Sequence, residues 1–468
     1  MTTTTPATST LLRHGNLAPL LLVNLGVGMH AAIWYMASTV MPSVVQDLGA
    51  AAFISWATSV YLVTTILGAV AMAPAKARLG ARSAMLGAGG VIIAGGLLAA
   101  LAPGMALVLA GRALQGLGEG LLVALSYALV RELFDTSVVP RVFGTQAATW
   151  GIAIFLGPLL GGWLTEVWSW RAAFVGCAVL PIPMMVMGAK ILRDRPAATT
   201  LRQRAPLLRL GMLALGVMAI AAADRFGGPW IGTASVAAGL AVIVSVLQVD
   251  KRRAPHLFPT VFPTLRHPVS LGLWILLLMP LAQAPVYVYG PYLLQMHRGL
   301  SPTMAGYFGA IHALAWSVAA MLIAPLPPRW QGTTIVLGPV LLAVGLAALA
   351  LTIASQPLPL VALALVVVGV GFAICNMFIN QRIMASAQSG QEDETAGAIP
   401  TLQGLGGATS AALAGLAGNA IGLDQTLTAD IVSRAALALY GTGALLALLS
   451  VAMARRFLRA MPCHSRAG

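Results

Sequence analysis

Long apolar runs, separated by short polar segments, recur along the whole chain and restrict what it can fold into. Each run has about 20 residues or more, which is enough for a helix to cross about 30 Å of hydrocarbon. Backbone N–H and C=O groups must be paired inside a bilayer, so only helices and closed barrels span it. The sequence lacks the ten-residue alternation of a barrel. It therefore predicts an all-α membrane protein.

Composition supports this class and argues against a nucleic-acid partner. Of the 468 residues, 59% are hydrophobic and 9% are charged, and the mean hydropathy is +0.88. A soluble protein has about a quarter of its residues charged. The net charge of +14 comes from basic residues in the short segments between apolar runs, with no basic patch that carries interleaved aromatics. The expected surroundings are a lipid bilayer.

The apolar runs predict about fourteen spans, and their charges predict the orientation. The spans lie at 18–44, 53–75, 83–102, 105–130, 142–165, 170–189, 207–223, 228–248, 269–294, 302–324, 333–353, 357–380, 399–421 and 433–454. Lys and Arg accumulate on the cytoplasmic side of a membrane protein. With a cytoplasmic N-terminus, only Arg171, Arg225, Arg298 and Arg434 fall outside. An even number of spans then places both termini in the cytoplasm.

Spans 7 and 8 look like a pair inserted between two halves of six spans each. They are short, and the basic linkers 190–206 and 250–268 flank them. The halves echo each other, since APAKAR (73–78) after span 2 matches APLPPR (324–329) after span 10. Many secondary transporters consist of such repeats. The predicted domains are an N-terminal six-helix bundle (1–189), the linkers with the inserted pair (190–268), and a C-terminal six-helix bundle with a cytoplasmic tail (269–468).

Glu119 lies at the midpoint of the apolar stretch Met105–Val130, where an acid needs an explanation. A charge at the centre of a membrane helix costs about 2.5 to 3.5 kcal/mol on insertion scales, so such residues usually face a bundle interior or a wet cavity. Helical spacing places Arg112, Gln115 and Ser126 on the same face as Glu119. Glu119 is either a proton-coupling group or an acid neutralised for structural reasons by Gln115 or Arg112.

Three further side chains are candidates for proton coupling alongside Glu119. His30 and His312 lie near the middle of spans 1 and 10, and histidine is the side chain that changes charge most readily near neutral pH. The alternative for each is a neutral histidine packed in the core. Arg112 either tunes the acid, binds an anion or braces its helix. These groups have no local spacing typical of a metal site, and we expect none.

Polar and aromatic side chains on other spans are candidates for a substrate pocket, with ordinary helix packing as the alternative. The candidates are Trp34, Tyr35, Gln115, Glu119, Gln283, Tyr287, Asn376 and Gln403. An adaptable pocket combines aromatic surfaces with a few polar groups. Glu392, Asp393 and Glu394 precede span 13 and are expected to form a solvated charge run in a loop.

Several motifs resemble those of the major facilitator superfamily, specifically its fourteen-span branch of drug:proton antiporters. GRALQGLGEG (111–120) is similar to the span 4 signature of this family, and GIAIFLGPLLGG (151–162) resembles its span 5 antiporter motif. GPYLLQMHRGLSPTMAG (290–306) and TLQGLGGATSAALAG (401–415) resemble two later segments of the branch. Two positions depart from the pattern, since Ala77 and Ile33 stand where this branch usually or often has Asp.

The resemblance implies a multidrug exporter of a bacterial inner membrane, driven by proton antiport with alternating access. It implies a monomer that uses the proton gradient and no cofactor. The residues it marks as conformational are Arg78, Gly80, Arg82, Gly157, Pro158, Gly161 and Gly162. One alternative is an exporter of an anionic or zwitterionic metabolite such as a siderophore, held by Arg112 and protonated His30. A non-transporting membrane sensor is a remote alternative, and an enzyme is not expected because no nucleophile–base or metal-ligand set is visible.

Overall fold

A computed structural model describes residues 17–135, 138–194, 207–223, 229–254 and 256–461, and these residues form fifteen α-helices. The helices are α1 (Leu17–Asp47), α2 (Ile54–Leu79), α3 (Ala81–Ala100), α4 (Met105–Leu133), α5 (Val139–Val167), α6 (Trp170–Val179), α7 (Pro181–Ile191), α8 (Leu207–Ala221), α9 (Pro229–Arg252), α10 (Pro268–Met296), α11 (Pro302–Ile323), α12 (Pro328–Thr352), α13 (Leu358–Ala385), α14 (Glu392–Ile421) and α15 (Ala429–Ala460). The predicted all-α class is confirmed.

Twelve segments of the described chain are helical, long and apolar enough to cross a membrane, judged by length and composition. α6 and α7 together form one of these segments, interrupted at Leu180 where Pro181 begins the second helix. α8, with 15 residues, and α14 are not among the twelve. The count of fourteen spans therefore stays a prediction.

The N-terminal end of α14 differs from the sequence expectation. The helix begins at Glu392, earlier than the predicted residue 399, so the acidic run opens the helix and the expected loop placement is wrong. Acidic side chains are favourable in the first turn, because the N-terminus of a helix carries a partial positive charge. Glu392 also accepts a hydrogen bond from the backbone N–H of Gly390 at 2.8 Å.

The chain divides into two compact units. The first unit contains Met1–Ala37 and Thr64–Leu207, and the second contains Ser38–Val63 and Leu208–Gly468. The end of α1 and the beginning of α2 thus belong to the second unit. The predicted domain boundaries remain a prediction.

In the first unit, glycines bring α4 very close to two neighbours. A Cβ atom at Gly120 would collide with the carbonyl oxygen of Thr65 on α2, and one at Gly68 would collide with that of Leu117. A Cβ atom at Gly111 would meet the backbone of Gly95 on α3 in the same way. Small residues permit this backbone approach, which is how membrane helices associate without a hydrophobic driving force.

In the second unit, the second basic linker is folded around Asp250. This carboxylate is 2% exposed and accepts hydrogen bonds from the Arg209 guanidinium at 2.6 Å and the Leu257 backbone N–H at 2.8 Å. Further along, the Thr260 N–H donates to Gln391 Oε1 at 2.9 Å, and Gln391 Nε2 donates back to Thr260 Oγ1 at 3.0 Å. These contacts, which we call the linker clasp, join α8 and α9 to the segment that precedes α14.

The arginines predicted outside have structural partners where the structure describes them. Arg171 donates to the Ala102 carbonyl beyond α3 at 3.3 Å, and its guanidinium lies 4.1 Å from the centroid of a Trp170 ring. Arg298 donates to the Ile353 carbonyl, beyond α12, at 3.2 Å. Carbonyls at helix C-termini lack intrahelical donors, so these arginines complete two helix ends. Of the remaining two, Arg434 pairs with Asp430 at 2.7 Å, and Arg225 lies outside the described residues.

Candidate functional site

Glu119 contacts a histidine from a different helix in the first unit. Its side chain is fully buried, and its Oε2 lies 2.8 Å from Nδ1 of His30 on α1. The His30 side chain is 17% exposed and is therefore the more accessible member of the pair. The structure thus brings together the acid and one of the two histidines that the sequence placed at a similar depth. The contact is short enough for a proton to be shared between the two groups.

Polar and aromatic groups surround this pair. The His30 ring meets Trp150 of α5 edge-on, with centroids 5.9 Å apart. Two turns before Glu119 on α4, the buried guanidinium of Arg112 donates to Gln115 Oε1 at 2.7 Å. The predicted polar face of α4 is therefore buried inside the first unit. The contact with Gln115 favours a bracing role for Arg112 over anion binding.

The glycines of the span 5 motif hold α5 against α1 near His30. Cβ atoms at Gly157 and Gly161 would press on Tyr35 and Met36, one and two turns beyond His30. Pro158 and Gly162 are buried in the same stretch of α5. This helix therefore lies in position to alter the environment of the His30–Glu119 pair if it bends.

Polar contacts on the other side of His30 strengthen this α1–α5 interface. Asn24 Nδ2 donates to Thr145 Oγ1 at 3.0 Å, and Thr149 Oγ1 donates to Asn24 Oδ1 at 2.9 Å. Asn24 lies almost two turns before His30 on α1. α5 is therefore hydrogen-bonded to α1 on the N-terminal side of the histidine and packed against α1 on its C-terminal side. Sequence reasoning missed Asn24, although an amide in an apolar span is itself a signal.

Gly80 joins α2 to α3, with Arg78 in the last turn of α2 and Arg82 in the first turn of α3. At this junction the structure reveals an acid that sequence reasoning missed. Gly80 has a φ angle of +85°, which favours glycine, and it is the N-cap of α3 but offers no side chain. Asp194, at the end of the first unit, supplies the cap instead. Its Oδ1 accepts from the Ser83 N–H at 3.0 Å and its Oδ2 accepts from the Ser83 hydroxyl at 2.7 Å.

These donors hold the pKa of Asp194 below its usual value, with the Ser83 backbone N–H as the largest cause. Arg78 and Arg82 are exposed beside the loop. The resemblance placed Ala77 where a related acid usually stands, and Asp194 supplies a carboxylate to the same loop from a distant point in the sequence. Nothing in the local sequence around Asp194 marks it for this position.

The second unit brings together amide side chains from α13 and α14. Asn376 Oδ1 accepts from Gln403 Nε2 at 2.9 Å and from Asn380 Nδ2 at 3.2 Å. All three residues are partly exposed. Asn376 and Gln403 were predicted pocket residues, whereas Asn380 was missed, although its spacing of four from Asn376 places it on the same helix face. We call these three residues the amide cluster.

The remaining candidates occupy different positions. Trp34 is half-buried and Tyr35 is buried on α1, in the turn that follows His30. His312 is buried on α11 in the second unit, with Nδ1 3.2 Å from the Gly309 carbonyl one turn earlier. That contact suits a neutral, packed histidine.

Comparisons with known proteins identify the family. A family model described as Major Facilitator Superfamily matches residues 23–411. The chain is 30% identical over 412 residues to a probable multidrug-efflux transporter of Mycobacterium tuberculosis, covering 84% of this chain and 86% of the relative. It is 26% identical over 379 residues to a multidrug resistance protein B homolog of the same organism, covering 76% and 68%.

Solved structures share the fold at lower identity. A peptide transporter POT in complex with sulfate matches with a TM-score of 0.68 and 16% identity, covering 95% of both chains. The human organic anion transporter MFSD10 matches with a TM-score of 0.58 and 16% identity, covering 93% of this chain and 99% of the other. With an all-α chain of twelve candidate membrane spans and a family match over most of its length, the protein belongs to the Major Facilitator Superfamily of transporters.

Proposed function

We propose that this chain exports small molecules by proton antiport with alternating access, and that its substrates are multiple drugs. The observation that carries the proposal is the buried contact between Glu119 and His30. The names of its Mycobacterium tuberculosis relatives support the substrate range. The proposed setting is a bacterial inner membrane, with both termini in the cytoplasm and a monomer as the working unit.

The pair suits coupling because protonation changes its charge in a place where charge is expensive. An unpaired buried charge costs several kcal/mol, so the gain or loss of one proton changes what the pocket can hold. Each unit of pH difference supplies about 1.4 kcal/mol per proton, and each 100 mV of potential supplies about 2.3 kcal/mol per charge. These driving forces are sufficient for modest uphill export.

In the proposed cycle, Glu119 is deprotonated when the pocket opens to the cytoplasm, and substrate loads beside Trp34, Tyr35 and Gln115. When the pocket opens to the outside, a proton reaches Glu119 through His30, the more exposed member of the pair. The protonated acid binds substrate less well, so substrate leaves. Arg112 holds the polar face of α4 in place through Gln115. Of the two histidines, His312 is the less suited to carry the proton, because its Nδ1 contacts a carbonyl of its own helix.

Replacement of Glu119 tests this cycle. In proteoliposomes, Glu119→Gln should reduce pH-driven net efflux to the leak rate while substrate–substrate counterflow continues, because counterflow needs no proton exchange. Glu132→Gln is the matched control on the same helix, since Glu132 is exposed and pairs with Lys76, and its coupled efflux should match the wild type. Coupled efflux that survives in Glu119→Gln would remove this acid from the mechanism.

His30→Gln separates the relay from the acid itself. Glutamine can still hydrogen-bond Glu119 but cannot titrate, so net efflux should continue with a changed dependence on external pH. An unchanged pH profile would exclude His30 from the proton path.

A further inference from the structure

The amide cluster of the second unit lies beside a seam between α10 and α14. A Cβ atom at Gly407 would stand 3.3 Å from the Tyr287 hydroxyl of α10. Gln403 precedes Gly407 by one helical turn and therefore shares its face, as Gln283 shares the face of Tyr287. Hydrogen bonding then adds Asn376 of α13 to Gln403 of α14. Tyr287 of α10 thus meets α14 one turn from Gln403, which is bonded to Asn376 of α13.

Two acceptor atoms, one on α10 and one on α13, have no hydrogen-bond partner among the described residues. They are Oε1 of Gln283, whose residue is 6% exposed, and Oδ1 of Asn380. Amide oxygens hidden from water without a donor are unfavourable, so each such group calls for an explanation. The hydrogen bonds within the cluster do not satisfy either oxygen, since Gln403 Nε2 and Asn380 Nδ2 both donate to Asn376 Oδ1.

The region also lacks charged side chains. The sequence of α10 contains no Asp, Glu, Lys or Arg, and α14 carries such residues only in its first turn. On α13 the one such residue is Arg382, which donates to the sulfur of Met461, just after α15, at 3.8 Å. Recognition in this region therefore depends on neutral dipoles, in contrast to the Glu119, His30 and Arg112 set of the first unit.

We propose that Gln283, Asn380 and the rest of the amide cluster form a substrate subsite that accepts hydrogen bonds from an N–H group of the transported molecule. The inference rests on the proposed function and deepens it. The first unit carries the proton and senses charge, whereas the second distinguishes an amine or amide that bears hydrogen from one that is fully alkylated. A carbonyl oxygen accepts a hydrogen bond from the first and gains nothing comparable from the second.

The test compares two cations of equal charge, a protonated tertiary amine and its N-methylated quaternary analogue, in competition for efflux from proteoliposomes. The wild type should prefer the N–H-bearing cation by about 2- to 10-fold, the range that one hydrogen bond supplies. Gln283→Met and Asn380→Leu should each remove most of this preference, because they should lower efflux of the N–H-bearing cation more than efflux of the quaternary cation. Asn380→Asp keeps an acceptor and should keep the preference, and Gln331→Met removes an amide on α12 as a control.

Three results would overturn the subsite. These are a wild type with equal rates for both cations, a Gln283→Met or Asn380→Leu variant with the wild-type ratio, and a Gln331→Met control that loses the ratio equally. If the wild type exports neither cation, the proposed function fails separately. Equilibrium binding of the two cations to the purified protein then decides the subsite, because the same preference and the same losses should appear in the dissociation constants.

Discussion

Two acidic side chains, Glu119 and Asp194, meet partners that come from distant parts of the sequence. Glu119 meets His30 across 89 residues, and Asp194 meets Ser83 across 111. The two acids face different problems. Glu119 is buried beside a histidine, whereas Asp194 is exposed and supplies the cap that Gly80 cannot provide for α3. A carboxylate therefore caps a helix at Asp194, and in the proposed cycle a carboxylate carries the proton at Glu119.

Asp194→Ala should lower thermal stability at neutral pH, because it removes the acceptor for the Ser83 N–H and hydroxyl. The pKa of Asp194 is lowered in the folded protein, so its stabilising effect is complete above the unfolded value of about 3.9 and is lost as pH falls through the folded pKa. The difference in melting temperature between the wild type and Asp194→Ala should therefore disappear in acid. Melting curves from pH 7 to pH 3 in detergent measure it.

The exposed acid Asp135 serves as the control for this experiment, since Asp135→Ala should follow the wild type throughout. A difference that grows as the pH falls would contradict the assignment of Asp194 as the cap.

At the scale of helices, two devices hold elements together. Glycine faces let α4 approach α2 and α3 at backbone distance. The linker clasp, by contrast, depends on polar groups, with the buried Asp250 at its centre. Buried charges are costly unless they are paired and hydrogen-bonded, and Asp250 meets both conditions through Arg209 and Leu257. These contacts thus fasten α8 and α9 within the second unit through a folded segment.

Asp250→Ala should lower the free energy of unfolding by about 3 kcal/mol, because it removes the buried carboxylate that the Arg209 guanidinium and the Leu257 backbone N–H both contact. Denaturant titration in detergent provides the measurement. Asp430→Ala breaks the exposed pair with Arg434 and should cost at most about 1 kcal/mol. Equal effects of the two substitutions would show that the linker clasp contributes nothing beyond a surface ion pair.

At the scale of the whole molecule, the distribution of Lys and Arg predicts how the protein is oriented in the membrane. The proposed topology places the basic linkers and both termini in the cytoplasm. Arg171 and Arg298, two of the arginines predicted on the outer side, each donate to a backbone carbonyl at a helix end. The topology remains a prediction because residues 1–16 and 462–468, at the two termini, lie outside the described chain.

Cys463 provides a native probe of this topology. Cys177 and Cys375 are buried, so a membrane-impermeant maleimide should label only Cys463. Labelling is expected in inside-out vesicles and not in intact spheroplasts. Asp424→Cys in a Cys463→Ser background should show the opposite pattern, because Asp424 precedes α15 on the predicted outer side. Labelling of Cys463 from outside would reverse the proposed direction of the chain.

Much of the helical scaffold follows from the sequence. Apolar runs predicted the α4 start at Met105 and the α8 start at Leu207, because hydrophobicity and helix length are local properties. Polar residues extended the ends of other helices beyond the apolar run. At α14, the helix begins at Glu392, seven residues before the predicted span. The shared face of Arg112, Gln115 and Glu119 also followed from helical spacing alone.

The partners on that face were decided only by tertiary structure. His30 and His312 were both candidates for Glu119 from their depth, and the packing of α1 against α4 and α5 selected His30. Asp194 and Asp250 gained their roles from residues on other elements, and the amide cluster joined two helices. A sequence specifies which side chains share one helix face, but the rotation and register between helices depend on the packing of the whole bundle.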